Sequence, residues 1–157
     1  MERLGVCNLV LNSSVIKDPS DTPKVLWAQQ TWLERQLAEA QQGLARHILL
    51  FQHHPLFLHQ ANEPDEYFNI PKQRRMPLLE LLRQAKVRAV FAGHYHRNSY
   101  GKVGEMEMVT TGPVGKPLGK DPSGFRIVKV GEHRIVHQYY AMDEVPKQVH
   151  VEETTLP

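Results

Sequence analysis

Histidines gather at two places in this sequence. His53-His54-Pro55 ends the apolar run His47-Ile48-Leu49-Leu50-Phe51-Gln52, and Gly93-His94-Tyr95-His96 ends a second run, Val87-Arg88-Ala89-Val90-Phe91-Ala92, about forty residues later. Imidazole binds borderline divalent metals such as zinc, iron and manganese. Alternate residues of an extended segment point the same way, so this spacing predicts that His94 and His96 face one cavity, with Gly93 allowing the chain to turn tightly before them. A His-x-His pair alone is commonplace at a surface. What makes these histidines candidates is that each cluster directly follows a buried-strand pattern, where a metal or substrate site is readily built.

The elements that must position them can be read from periodicity. Val6 to Leu11 is short, apolar and bounded by turn formers, the pattern of a buried strand. A loop follows from Asn12 to Pro23. Thr22 with Pro23 predicts a helix start, and Leu26, Leu33, Leu37, Ala40 and Leu44 recur on one face up to an end near Gly43. Trp27 and Trp32 flank that stripe and read as packing residues. His47 to Gln52 is almost continuously apolar, as in a strand covered on both faces. Leu58 to Pro71, with its acidic Glu63, Asp65 and Glu66, predicts a long surface loop of the kind that shapes a substrate entrance. A second helix is predicted from about Pro77 to Ala85, then the strand Val87 to Ala92. Three further strands are predicted over Glu105 to Thr111, Phe125 to Val130 and Arg134 to Tyr140, with a tight turn at Gly131-Glu132. Alternating strands and helices followed by strands alone predict a mixed α/β sandwich with its helices outside. The chain beyond Asp143 reads as an irregular tail.

Bulk properties narrow the function classes. With 157 residues, 41% hydrophobic and 23% charged, the chain fits one soluble globular domain, 1–143 with the tail 144–157. A net charge of +2, with both signs interleaved, argues against a nucleic-acid or membrane surface. No window approaches the ~20 apolar residues of a membrane span. The single Cys7 excludes a disulfide framework, reads as a small core residue, and fits a reducing, cytoplasmic location. The start, Met1-Glu2-Arg3-Leu4-Gly5, carries no targeting pattern and leads almost at once into a strand, as expected of a chain that begins inside a larger domain. His59 and His150 in loops, and His47, His133 and His137 at strand positions, read as structural or surface residues. Thr110 to Lys116 lacks the pattern of a phosphate loop and reads as a turn near the site. Ser13, Ser14, Ser20, Ser99 and Ser123 lack the surroundings of a nucleophilic serine.

The stretches Phe51-Gln52-His53-His54-Pro55-Leu56-Phe57 and Phe91-Ala92-Gly93-His94-Tyr95-His96-Arg97-Asn98 resemble the last two signature blocks of the calcineurin-like metallophosphoesterases. Within that superfamily the chain is most similar to the calcineurin-like phosphoesterase domain-containing serine/threonine phosphatases, the complete protein phosphatases. Leu9 to Ser13, Gln29 to Leu37, Tyr67-Phe68-Asn69, Leu118 to Pro122 and His137 to Tyr140 carry the same resemblance, which spans most of the chain. It implies part of a four-layer αββα sandwich of mixed sheets. It also implies hydrolysis of phosphomonoesters, phosphoserine or phosphothreonine in proteins among them, by a hydroxide activated at two metal ions, whether manganese, iron or zinc. Carried over by position, His53 and His94 would bind one metal and His96 the other. His54, Arg97 and Asn98 would support those ligands or touch phosphate.

The family's earlier blocks, Asp-x-His, Gly-Asp and Gly-Asn-His, do not occur in this sequence. The bridging aspartate, the remaining ligands and the leaving-group histidine of the resemblance are therefore absent, and no catalytic acid or nucleophile is assigned. Three imidazoles divided between two metals fall short of the four ligands each normally needs. The chain by itself is expected to bind metal weakly and to turn over phosphate esters poorly. Its rival reading is a non-catalytic interaction or regulatory module, and a third is a mononuclear zinc hydrolase with all three imidazoles, His53, His94 and His96, on one ion. Uncovered sheet edges, and either self-association or docking of an N-terminal half, are further expectations.

Overall fold

Six residues from Val6 to Leu11 form β1, which lies parallel to β2 (His47–Gln52) in the register Leu9 opposite Leu50. In the computed structural model, which describes residues 5–43 and 45–150, β2 pairs in parallel with β3 (Ala89–Ala92), and β3 with β5 (Met106–Thr110). The edge strand β4 (Ser99–Val103) runs antiparallel to β5. The five-stranded order is β1-β2-β3-β5-β4, and β6 (Gly124–Val130) and β7 (Ile135–Ala141) form a separate antiparallel pair. Parallel neighbours need crossovers. These are supplied by α2 (Pro23–Gln42) between β1 and β2 and α3 (Lys72–Gln84) between β2 and β3, after a short α1 (Ser13–Lys17).

The two-residue period of the strands sorts side chains to two faces. Leu9, Leu11, Ile48, Leu50, Val90, Ala92 and Met108 join Leu33 and Leu37 of α2 and Leu79 and Leu82 of α3 in one core. Leu49, Ala89, Phe91 and Val109 face the other way, against Val128, Val130 and Ile135 of the β6-β7 pair. Both faces of the central strands are thus covered, which is why their sequences are unbroken apolar runs. Each fully buried leucine, such as Leu50 and Leu82, contributes about 1.5–3 kcal/mol. The architecture is a mixed α/β one as expected, with three layers among the described residues: helices, five-stranded sheet and two-stranded sheet. The pair covers β2, β3 and β5 but leaves the outer face of β1 open, where Val10 is 69% exposed.

Several element readings change. The loop expected from Asn12 to Pro23 contains α1, started by Asn12, whose side chain accepts from the Ser14 amide. Helix α3 begins at Lys72 rather than near Pro77, since proline is tolerated inside it at the sixth residue. Strand β4 was not anticipated: its Gly101 lies so close to the loop before α3 that a Cβ there would meet the His59 carbonyl oxygen at 2.5 Å. Trp27 is 69% exposed, whereas Trp32 packs against the core. Cys7 is half-buried against the helix-side core, and burial pushes its thiol up. Leu44 and Met1 to Leu4 lie outside the described residues. Residues 144–150 contain no helix or strand, and 151–157 are likewise outside the described part. Among the described residues, no helix is long and apolar enough to cross a membrane.

Candidate metal centre

The carboxyl ends of the parallel strands β2 and β3 lie side by side, and the Gly93 amide donates to the His53 carbonyl at 3.1 Å just beyond them. This brings the two histidine clusters together. His53 Nε2 and His94 Nδ1 share a hydrogen bond of 3.0 Å. The ring centroids of His54 and His94 are 4.2 Å apart and those of His53 and His54 are 4.8 Å apart. One nitrogen from each of His53, His54 and His94 falls within 4.8 Å of the others, a grouping that could hold a metal ion.

The segment after β3 is not extended. His94 and His96 both take left-handed backbone, with φ of 62° and 56°, a conformation costing a non-glycine residue about 1 kcal/mol or more and tolerated by histidine better than by most. The alternation argument for His94 and His96 therefore does not apply to this backbone, because β3 stops at Ala92. His96 lies outside the three-histidine group. Its Nδ1 donates to the Lys116 carbonyl at 2.8 Å. The chain around it is bracketed by the 116–121 loop: the Leu118 amide donates to the His96 carbonyl, and Arg97 Nε donates to the Leu118 carbonyl. The Asn98 amide and Nδ2 both donate to the Asp121 carboxylate. Arg97 also lies over the Tyr95 ring at 5.1 Å. Asn98 Oδ1 accepts from Arg126 and from the Gly112 amide. Arg97 Nε and both side-chain polar atoms of Asn98 are thus engaged by the protein itself.

Sequence reasoning named no individual role for four of the site's supports. Ser13, 1% exposed, accepts from the His54 amide at 2.8 Å and meets His54 Nδ1 at 3.0 Å. Lys17 donates to the Tyr67 and Asn69 carbonyls, tying α1 to the loop before α3. Tyr67 and Phe68 wall the site, their rings 5.2 and 5.8 Å from that of His94. The loop holding them is built around one buried group and one half-buried group. Arg75, wholly buried, donates to the carbonyls of Leu56, Ile70 and Glu63. The Glu63 carboxylate accepts from the Leu58, His59 and Gln60 amides and from Asn69. Burial alone would raise that carboxyl, but these bonds hold it below its ordinary value. The Asn12-Ser13 helix start was the one legible sign of the Ser13 support.

Burial, with smaller contributions from His94, His53 and Lys17, lowers His54 to about 4. His94 is lowered too, by burial first. These rings are neutral at pH 7, the form in which imidazole offers a lone pair to a metal. The group contains no carboxylate among the described residues. Imidazole donors suit a borderline cation. Among the described residues the group supplies three imidazoles and no bridging oxygen ligand. A cleft of about 340 Å³ between α2 and α3, lined by Leu26, Leu33, Leu78 and Leu81, holds no histidine and belongs to the helix side of the sheet.

A parallel-stranded α/β layer thus carries imidazoles at adjoining strand ends. Comparison with known proteins finds relatives. The serine/threonine-protein phosphatase CPPED1 of Mus musculus is 46% identical over 141 residues, 90% of this chain and 45% of its own length. The protein of the same name from Homo sapiens is 43% identical over 145 residues, 92% of this chain and 46% of its own. The chain is homologous to these calcineurin-like phosphoesterase domain-containing phosphatases and spans about half the length of the relatives it matches. No protein-family model matches it. The solved structure of GAP50, the anchor in the inner membrane complex of Plasmodium, superposes with a TM-score of 0.71 over 93% of this chain and 48% of its own, at 18% identity, which shows a shared fold.

Proposed function

We propose that this chain is the later, histidine-bearing part of a metal-dependent phosphomonoesterase domain, with phosphoserine and phosphothreonine of proteins as its substrate class. The observation that carries this reading is the meeting of His53 and His94 at 3.0 Å across the ends of β2 and β3. It is supported by relatives named as serine/threonine-protein phosphatases. A cation held there would supply Lewis acidity toward a phosphoryl oxygen. The chain's own residues hold the rings: Ser13 orients His54, the Gly93 amide locks the two strand ends together, and Tyr67 and Phe68 cover one side of His94. His96 donates Nδ1 to the Lys116 carbonyl, which leaves the lone pair on Nε2 for a cation.

A second reading, a non-catalytic interaction module of the same fold, is favoured by the lack of Asp-x-His, Gly-Asp and Gly-Asn-His in the sequence. Hydrolysis of an aryl phosphate and of a phosphothreonine peptide, with manganese, iron or zinc supplied, separates the two. Low but metal-dependent turnover that falls at least about tenfold in His53→Ala and His94→Ala variants is the outcome of the first. Equal background rates in wild type and both variants would establish the second.

A further inference from the structure

Beside the strand-end histidines stands a row of rings that metal chemistry does not use. Tyr67 and Phe68 meet edge to face at 5.1 Å, and Phe68 and Tyr95 do so at 5.0 Å. A cation closes each end of the row: Lys17 lies 5.6 Å from the centroid of the Tyr67 ring, and Arg97 lies 5.1 Å from that of Tyr95. We propose that this rim docks the peptide around a phosphorylated residue, with Tyr67 receiving an aromatic or large aliphatic side chain next to the phosphoserine or phosphothreonine. The inference rests on the phosphatase reading and adds to it a residue that selects among peptides.

Tyr67 is the open member of the row, 73% exposed, while Phe68 and Tyr95 are half-buried. It is nevertheless held in place. Its carbonyl accepts from Lys17, and its ring stands against those of Phe68 and His94. Two residues on, the wholly buried Asn69 accepts from the Glu66 amide and donates to the Glu63 carboxylate and the Pro64 carbonyl. The buried Arg75 guanidinium pins the same loop at Leu56, Glu63 and Ile70. A ring fixed in this way loses little freedom when a partner packs on it, the condition under which an aromatic contact yields affinity.

Reach and charge fit a phosphopeptide. The Tyr67 ring is 5.2 Å from that of His94, and successive Cα atoms of a peptide are about 3.8 Å apart, so a residue adjoining the phosphoresidue meets Tyr67. Lys17 and Arg97 give the rim a positive sign suited to a ligand that carries phosphate. Glu63 and Asp65 spend their carboxylates on the loop's own amides. The exposed Glu66 precedes Tyr67 and disfavours an acidic neighbour to the phosphoresidue, so the side chain that Tyr67 receives is apolar.

The test compares two fluorescein-labelled phosphothreonine peptides, one with phenylalanine and one with alanine on both sides of the phosphoresidue. Each is titrated with the full chain in the presence of manganese, and affinity is read by fluorescence anisotropy. The phenylalanine peptide is expected to bind at least about threefold tighter, a ratio within what one aromatic pair supplies. Tyr67→Ala should abolish that preference, and Tyr67→Phe should keep it. A variant that only disturbs folding weakens both peptides and leaves their ratio, so the ratio carries the decision. Equal binding of the two peptides by wild type, no binding of either, or a preference that survives in Tyr67→Ala overturns the inference. Metal-dependent hydrolysis of an aryl phosphate by the same preparation tests the phosphatase reading separately. Hydrolysis with equal peptide binding overturns the docking rim alone, whereas a Tyr67-dependent preference without hydrolysis upholds the rim and overturns the phosphatase reading.

Discussion

His96 Nδ1 lies 2.8 Å from the carbonyl oxygen of Lys116, so the last histidine of the Gly-His-x-His segment is held by a loop twenty residues further along the chain. A carbonyl can only accept, which fixes the proton on Nδ1 and leaves the lone pair on Nε2. The same loop takes the Asn98 amide and side chain on Asp121 at 2.6 and 3.1 Å.

Removing the Asp121 carboxylate should therefore loosen the whole bracket. Hydrogen bonds to a charged acceptor are worth about 1.5–3 kcal/mol, and Asp121→Ala is expected to lose an amount in that range in urea denaturation. Amide exchange at Asn98 should quicken in the same variant. Unchanged exchange there would mean that the Asp121 bonds do not hold the segment.

Arg75 is the other anchor. It is completely buried and donates to three main-chain carbonyls of the loop before α3. Replacing it by methionine keeps its apolar stem but leaves those carbonyls without partners, at about 1–3 kcal/mol each. Arg75→Met should cost at least about 3 kcal/mol, and limited proteolysis should cut first between residues 56 and 71. A variant as stable as wild type would show that water replaces the guanidinium.

Close approach of β4 to that loop makes a third prediction. Gly101→Ala places a Cβ at 2.5 Å from the His59 carbonyl oxygen and 2.7 Å from the Phe57 ring. Main chain cannot give way as a flexible side chain does, so a loss of about 1–3 kcal/mol is expected. Melting temperature against wild type is the measurement.

Acid should weaken the contact between the two sheets. Arg126 Nη1 donates to His137 Nδ1 at 2.9 Å, and His137 Nε2 stands 3.1 Å from a Glu107 carboxylate oxygen. An imidazole that accepts on one side and donates on the other is neutral. Burial first, then the Arg126 charge, lowers its pKa, against the opposing pull of Glu107. A lowered folded value means that the unfolded chain binds the proton first. The stability from this group is present above about pH 6.5, the ordinary histidine value, and declines as the pH falls below it toward the folded value. Denaturation at pH 7 and pH 5 should show that decline, and His137→Gln should reduce it. An equal slope in the variant would remove His137 as the source.

The apolar runs at His47 and Val87 determined the central parallel strands by themselves, because strands covered on both faces must be apolar, and the run at Val6 marked β1 although its outer face is open. The same runs put both histidine clusters at strand ends, so the neighbourhood of the site was legible before the fold was known. Which histidines meet was not legible. Sequence spacing treats Gly93 to His96 as a continuing strand, whereas β3 stops at Ala92 and left-handed turns at His94 and His96 redirect the two rings. Ser13 and Lys116 lie some forty and twenty residues from the imidazoles they engage. Such partners become neighbours only when packing closes the helices and the late loop over the sheet. Tertiary structure therefore decided the surroundings of each ring: Ser13 behind His54 and the Lys116 carbonyl behind His96, each through a hydrogen bond that no local pattern encodes.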